Sequence, residues 1–134
     1  MIDLEGARAT FEGSTDGTVG LEEEFAILDA GTLDLVSRFE ELRDAAAAAD
    51  PGLAESISGE LIASEIEIRS GRGQTLATSV AAQRDFRRRL FALAAELGVA
   101  LGATGTHPWA DYREQRIIDT DHQTCVNSMI EPVR

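Results

Sequence analysis

The sequence predicts an α+β fold, an antiparallel sheet with helices packed on one of its faces. Three observations predict it. Apolar and polar residues alternate over 18–28 and again over 61–69, the period of strands with one apolar face. Segments 38–49 and 75–97 instead carry their apolar residues at helical spacing. Between 29 and 32 lie turn residues, few enough to fold residues 33–36 back on the first strand. The chain has 134 residues, 43% of them apolar, which suffices for one compact domain and not for two.

Residues 1–17 are polar and Gly-rich, and Gly13-Ser14-Thr15-Asp16-Gly17 reads as a flexible lead-in. In the first strand Val19, Leu21, Phe25 and Ile27 point one way; Gly20, Glu22, Glu24 and Ala26 point the other. Glu23 falls on the apolar face and needs a partner there. Asp29-Ala30-Gly31-Thr32 supplies a turn, and residues 33–36 can pair back as a hairpin. Ser37 with Glu40 fits a capping box for a helix over 38–49 that buries Phe39, Leu42 and the alanines. Asp50-Pro51-Gly52 stops it. In the second strand Ile62, Ile66 and Ile68 share the apolar face, with Ala63, Glu65, Glu67 and Arg69 opposite. Residues 75–97 form the longest helix, stepping through Ala82, Phe86, Leu90, Leu93 and Leu97, with Gly98 as its stop. Arg84 and Arg88 are expected to cover a solvated face beside the acidic sheet. Residues 99–103 read as a third main strand, leading into the loop Gly105-Thr106-His107-Pro108-Trp109-Ala110.

Charge narrows the functions. Asp and Glu number 24 against 12 basic residues, all of them Arg, for a net charge of −12. Such a chain repels phosphate backbones, which argues against a general nucleic-acid binder. No apolar run reaches the ~18 residues of a membrane span, and residues 1–5 lack the basic and apolar regions of a signal peptide. With a single cysteine, Cys125, the expectation is a cytoplasmic protein without internal disulfides.

The sharpest chemistry lies on the strands. Glu22 and Glu24 are two residues apart, so both carboxylates leave one face about 6.6 Å apart; Glu65 and Glu67 repeat the arrangement. On neighbouring strands these like charges would repel. Water, arginine or a divalent cation can offset them, and hard oxygen donors suit Mg²⁺ or Mn²⁺, often with a nucleotide's phosphates. The plainer alternative is the wet face of an ordinary antiparallel sheet. His107 can bind a substrate anion, act as an acid–base group, or merely cap its turn. Trp109 reads as a packing anchor.

Three segments together resemble the carboxylate–amine ligases of the glutamate–cysteine ligase type 2 family. They are Thr18-Val19-Gly20-Leu21-Glu22-Glu23-Glu24-Phe25, the stretch Gly59-Glu60-Leu61-Ile62-Ala63-Ser64-Glu65-Ile66-Glu67-Ile68, and the 105–110 loop. The resemblance covers about residues 18–120 and implies part of a glutamine synthetase-like catalytic fold. It implies an enzyme that uses ATP and Mg²⁺ (or Mn²⁺) to phosphorylate the side-chain carboxylate of glutamate, after which an amine such as cysteine forms an amide. It implies Glu22, Glu24, Glu67 and Glu60 as metal carboxylates, and His107 as a catalytic-site histidine near the substrate. Glu65 falls where the family usually has an uncharged residue and ranks below Glu67.

Members of that family are much longer. The expected organisation is a lead-in at 1–17, the N-terminal part of a ligase domain at 18–120, and an atypical tail at 121–134 marked by the only Cys and only Asn. That tail suggests a truncation or frameshift, and the chain alone is expected to lack turnover. The edges of a partial sheet are expected to drive homo-oligomerisation. A non-catalytic acidic module that binds a divalent cation or a protein partner is the main alternative. A metal-dependent hydrolase is a weaker one, because such enzymes usually draw on more histidines.

Overall fold

The computed structural model describes residues 3–14 and 17–118. Its elements are α1 (Leu4–Glu12), β1 (Glu22–Asp29), α2 (Phe39–Ala49), α3 (Pro51–Ala54), β2 (Ile57–Ser58), β3 (Glu65–Arg69), α4 (Leu76–Glu96) and β4 (Val99–Gly102). A 3₁₀ turn, Tyr112–Glu114, comes after β4. The strands form one sheet in the order β2-β3-β1-β4, with antiparallel neighbours throughout. The α+β expectation, an antiparallel sheet with helices, therefore holds.

Alternation along β1 and β3 gives the sheet two unlike faces. Phe25, Ile27, Ile66, Ile68, Ile57 and Val99 meet Phe39, Leu42 and Ala46 of α2, Leu53 of α3, and Leu90 and Ala94 of α4 in a single buried core. All three helices thus lie on one face. Burial of this aliphatic surface is the main stabilising term, worth about 25 cal/mol per Å² of apolar area removed from water. Phe91 adds an edge-on contact with Phe25 at 5.2 Å between ring centroids.

The helix ends explain themselves locally. Thr75 caps α4 in a reciprocal capping box with Thr78. Asp50 ends α2 and caps α3 by accepting from the Leu53 N–H, with Pro51 at the first helical position. Arg89 of α4 donates to both oxygens of Asp50 and to Asp85, fastening α4 to this junction. Asp50-Pro51-Gly52 therefore starts a second short helix as well as stopping the first.

Several expectations are corrected. The lead-in at 1–17 carries α1, capped by Asp3 and braced by an Arg8–Glu12 pair at 2.7 Å, with none of its residues buried. No capping box forms at Ser37: the cap position of α2 is Arg38, whose guanidinium grips Glu41, while Glu40 turns to Arg116. The second strand begins at Glu65 rather than 61, because residues 62–65 turn, with the Glu65 N–H donating to the Ile62 carbonyl. Ala63, expected on the wet face, is fully buried. The line of α4 that is buried is Ser79, Gln83, Leu90 and Ala94, with Phe86, Leu93 and Leu97 packed beside it. The hairpin is present in reduced form, as a bridge between Leu28 and Leu35. The tail at 121–134 lies outside the described residues.

Candidate metal centre

The face of the sheet opposite the helices carries the acidic residues, and strand register decides which of them meet. Glu24 of β1 lies directly opposite Glu67 of β3, Glu22 is opposite Arg69, and Ala26 is opposite Glu65. Residues directly opposite in an antiparallel pair project to the same side, so this face runs Glu22/Arg69, Glu24/Glu67, Ala26/Glu65. Glu60 arrives from the segment after β2. Gly59 makes that approach possible: a Cβ there would stand 2.8 Å from the Phe39 ring and from Ile118.

Glu24, Glu60 and Glu67 each offer a carboxylate oxygen, and the three oxygens lie within 4.8 Å of one another. They are the three carboxylates among the described residues close enough to share a cation. Oxygens on opposite sides of Mg²⁺, each at about 2.1 Å, are about 4.2 Å apart. Adjacent ligand oxygens are about 3.0 Å apart, so from the 4.8 Å limit the side chains close by up to about 2 Å to ligate one ion. Glu22 stands outside it, one pair along and facing Arg69. Glu65 also stands outside.

The electrostatics are those of a site short of positive charge. Burial first, then the charges of Glu24 and Glu67, raise the Glu60 carboxyl above its usual value. Burial, then Glu24, does the same to Glu65. Glu67 is buried, and two groups orient it: the Ser58 hydroxyl donates to its Oε1 at 2.5 Å, and Arg69 Nε lies 3.6 Å from the same oxygen. Nothing in the sequence singles out Ser58; its pairing opposite Glu67 becomes visible only with the register. A hard divalent cation fits this oxygen-only donor set and would offset the repulsion among its carboxylates.

His107 lies off the trio, in the loop after β4. Its Nε2–H donates to the Leu33 carbonyl at 2.8 Å, and its ring meets Trp109 edge-on at 4.7 Å between centroids. Trp109 is 60% exposed, so it is not a packing anchor. Its indole N–H donates to Asp34 at 2.8 Å and is the foremost reason that carboxyl falls below its usual value. His107 lines a cavity of about 190 Å³ that also includes Ala26, Glu65, Tyr112 and Gln115. The cavity thus abuts the acidic face one pair beyond the trio.

The arginines of α4 lie on the other side. Arg87 and Gln83 donate to Glu23, which supplies the partner that a carboxylate on the apolar face needs. Arg88 binds Asp85 on its own helix, and Arg84 lines a groove with Leu21, Glu22 and Val80. The Arg84/Arg88 pair consequently projects from the helical layer and not over the trio.

The family model for glutamate-cysteine ligase family 2 (GCS2) matches residues 18–130. A protein of Rubrobacter xylanophilus named "Putative glutamate--cysteine ligase 2-1" is 34% identical over 122 residues, 91% of this chain and 31% of the relative. A second from that organism, "Putative glutamate--cysteine ligase 2-2", is 41% identical over 110 residues, 82% of this chain and 27% of its own. A Pseudomonas aeruginosa protein, "Putative glutamate--cysteine ligase 2", is 38% identical over 97 residues, 72% of this chain and 25% of its own. The chain spans about a quarter to a third of the length of these curated relatives. No solved structure matches it.

Proposed function

The chain belongs to glutamate–cysteine ligase family 2, and on that premise we propose that it carries part of the metal site of an ATP-dependent carboxylate–amine ligase with a glutamine synthetase-like catalytic fold. The observation that carries this reading is the convergence of Glu24, Glu60 and Glu67 within 4.8 Å. In this reading the three hold Mg²⁺ or Mn²⁺, which when bound neutralises charge on a transferring phosphoryl group. Ser58 and Arg69 keep Glu67 in place for that task. Glu60, whose carboxyl is raised above its usual value by burial and by Glu24 and Glu67, would be the third oxygen ligand. His107, held by the Leu33 carbonyl and Trp109, serves the substrate side of the cavity.

The proposed reaction transfers the γ-phosphoryl group of ATP to the side-chain carboxylate of glutamate. An amine, cysteine being the one in the relatives' names, then displaces phosphate to form the amide. Turnover is assigned to a protein of the relatives' length; the 134 residues are proposed to bind without turning over. β2 and β4 stand at the sheet's edges, and self-association through them is part of the proposal, tested by sedimentation over a concentration series. None of the described helices is long and apolar enough to cross a membrane.

Calorimetric titration of the purified chain with ATP, in Mg²⁺ and in EDTA, tests the nucleotide reading. ATP binding is expected with Mg²⁺ and not in EDTA. Equal binding in both, or none in either, would contradict it. Amide formation by the isolated chain would contradict the assignment of turnover.

A further inference from the structure

The turn after β1 holds a strained backbone position. Leu33 has φ 63°, in the left-handed region, and is the one non-glycine residue with positive φ among the described residues. Its side chain is 46% exposed, so burial does little to offset the strain. Such a position persists only where its surroundings over-determine it, and here they do. The Leu33 N–H donates to the Asp29 carbonyl and the Asp29 N–H to the Asp34 carbonyl, each at 2.9 Å. Asp29 Oδ1 accepts from the Gly31 and Thr32 N–H groups at 2.8 Å each, and the Asp34 N–H donates to Thr32 Oγ1 at 3.2 Å. Residues 29–34 are thus a stiff platform.

This platform presents two adjacent acceptors to the 105–110 loop. The Leu33 carbonyl accepts from His107 Nε2–H, and Asp34 Oδ1 from the Trp109 indole N–H, each at 2.8 Å. A carbonyl can only accept, so Nε2 bears the proton. Pro108 stiffens the backbone between the two donors, and their rings meet edge-on at 4.7 Å between centroids. His107 Nδ1 is buried and has no hydrogen-bond partner among the described residues, so neither ring nitrogen is offered to a ligand. Through Thr106, His107 and Ala110 the same loop lines the open cavity beside Ala26 and Glu65.

We infer that Asp34 is a positioning residue: through Trp109 it keeps His107 as an Nε2–H donor to Leu33, and so sets the stance of the loop beside Ala26 and Glu65. His107 is a positioning residue with it, a hydrogen-bond donor and not a proton-transfer group. The inference rests on the ligase reading only for the cavity's place on the substrate side.

Nitrogen-15 spectra of the full chain in EDTA, without nucleotide, test it. The sequence has one Trp, so a single indole N–H resonance reports Trp109, and His122→Gln assigns the two histidines. The wild-type His107 ring is expected to carry its proton on Nε2. Asp34→Ala should speed exchange of the indole N–H with water at least tenfold and bring in the Nδ1–H form of His107. Asp34→Asn, whose amide oxygen still accepts, should stay within threefold of wild type and keep the Nε2–H form. A general loss of stability would not change which nitrogen bears the proton. A wild-type ring protonated on Nδ1, an Asp34→Ala protein with unchanged exchange or an unchanged ring, or an Asp34→Asn protein as disturbed as Asp34→Ala overturns the inference. Should Asp34→Ala not fold, the wild type and Asp34→Asn decide the matter: loss of the Nε2–H form in either overturns it. Neither Mn²⁺ nor ATP enters the measurement, so its failure and failure of the ligase reading are distinguishable.

Discussion

Removing a ligand carboxylate should make this protein more stable as long as no cation is present. Take Glu24→Gln. Two unit charges 4.8 Å apart, the outer limit for the trio, repel by about 0.9 kcal/mol in a water-like medium and about 3.5 kcal/mol at an effective dielectric of 20. Glu24 is exposed, so the lower figure applies to each of its two pairs. A gain of about 1–2 kcal/mol is therefore expected for Glu24→Gln in EDTA at low salt, shrinking as salt screens the charges. Urea unfolding followed by circular dichroism measures it as a higher midpoint at unchanged slope. Glu22→Gln is the control: it faces Arg69 rather than another carboxylate and should gain nothing. With Mn²⁺ at a hundred times its dissociation constant the order reverses, because the wild type gains about 2.7 kcal/mol by mass action and the variant does not. A Glu24→Gln protein that is no more stable than wild type in EDTA, or a Glu22→Gln protein that gains as much, would refute the reasoning.

Packing and titration give further expectations. Gly59→Ala should cost about 1–3 kcal/mol in the same assay, since its methyl group meets Phe39 and Ile118 at 2.8 Å. Leu42→Ala, at a fully buried site of α2, should cost about 2–5 kcal/mol. Because the Glu60 carboxyl is raised in the folded state, its contribution to stability is complete below the usual 4.5 and is lost as pH rises through the raised value. Glu60→Gln should flatten that decline in metal-free buffer. Asp50 is lowered, chiefly by Arg89, so its contribution is present above the usual 3.8 and is lost as pH falls through the folded value. Asp50→Asn should make the acid limb of the unfolding curve shallower below that pH.

Much of the fold was legible because periodicity reports faces. Alternation at Phe25/Ile27 and Ile66/Ile68 reveals the buried side of the sheet, and the Thr75-to-Gly98 pattern bounds α4. Register was not legible. Spacing puts Glu22 with Glu24, and Glu65 with Glu67, on common faces, yet it says nothing about which residue stands across the ladder. Opposition of Glu24 to Glu67, and of Glu22 to Arg69, depends on how β1 and β3 slide. Glu60 has no periodic signature at all, since it lies outside a strand; the resemblance pointed to it and the glycine before it lets it approach. At Ser37 a local rule failed because tertiary partners won: Glu40 found Arg116, 76 residues away. α1 was hidden by Gly6 within it and Gly13 at its end, although Asp3 and the Arg8–Glu12 spacing were available as signals.

The central claim is that Glu24, Glu60 and Glu67 act together on one cation. Mn²⁺ binding followed by electron paramagnetic resonance, on the wild type and on the three single Glu→Gln variants, tests it most directly. One site of defined stoichiometry is expected in the wild type, weakened at least tenfold by each substitution, with Glu22→Gln close to wild type. Equal affinity across all of them would contradict it.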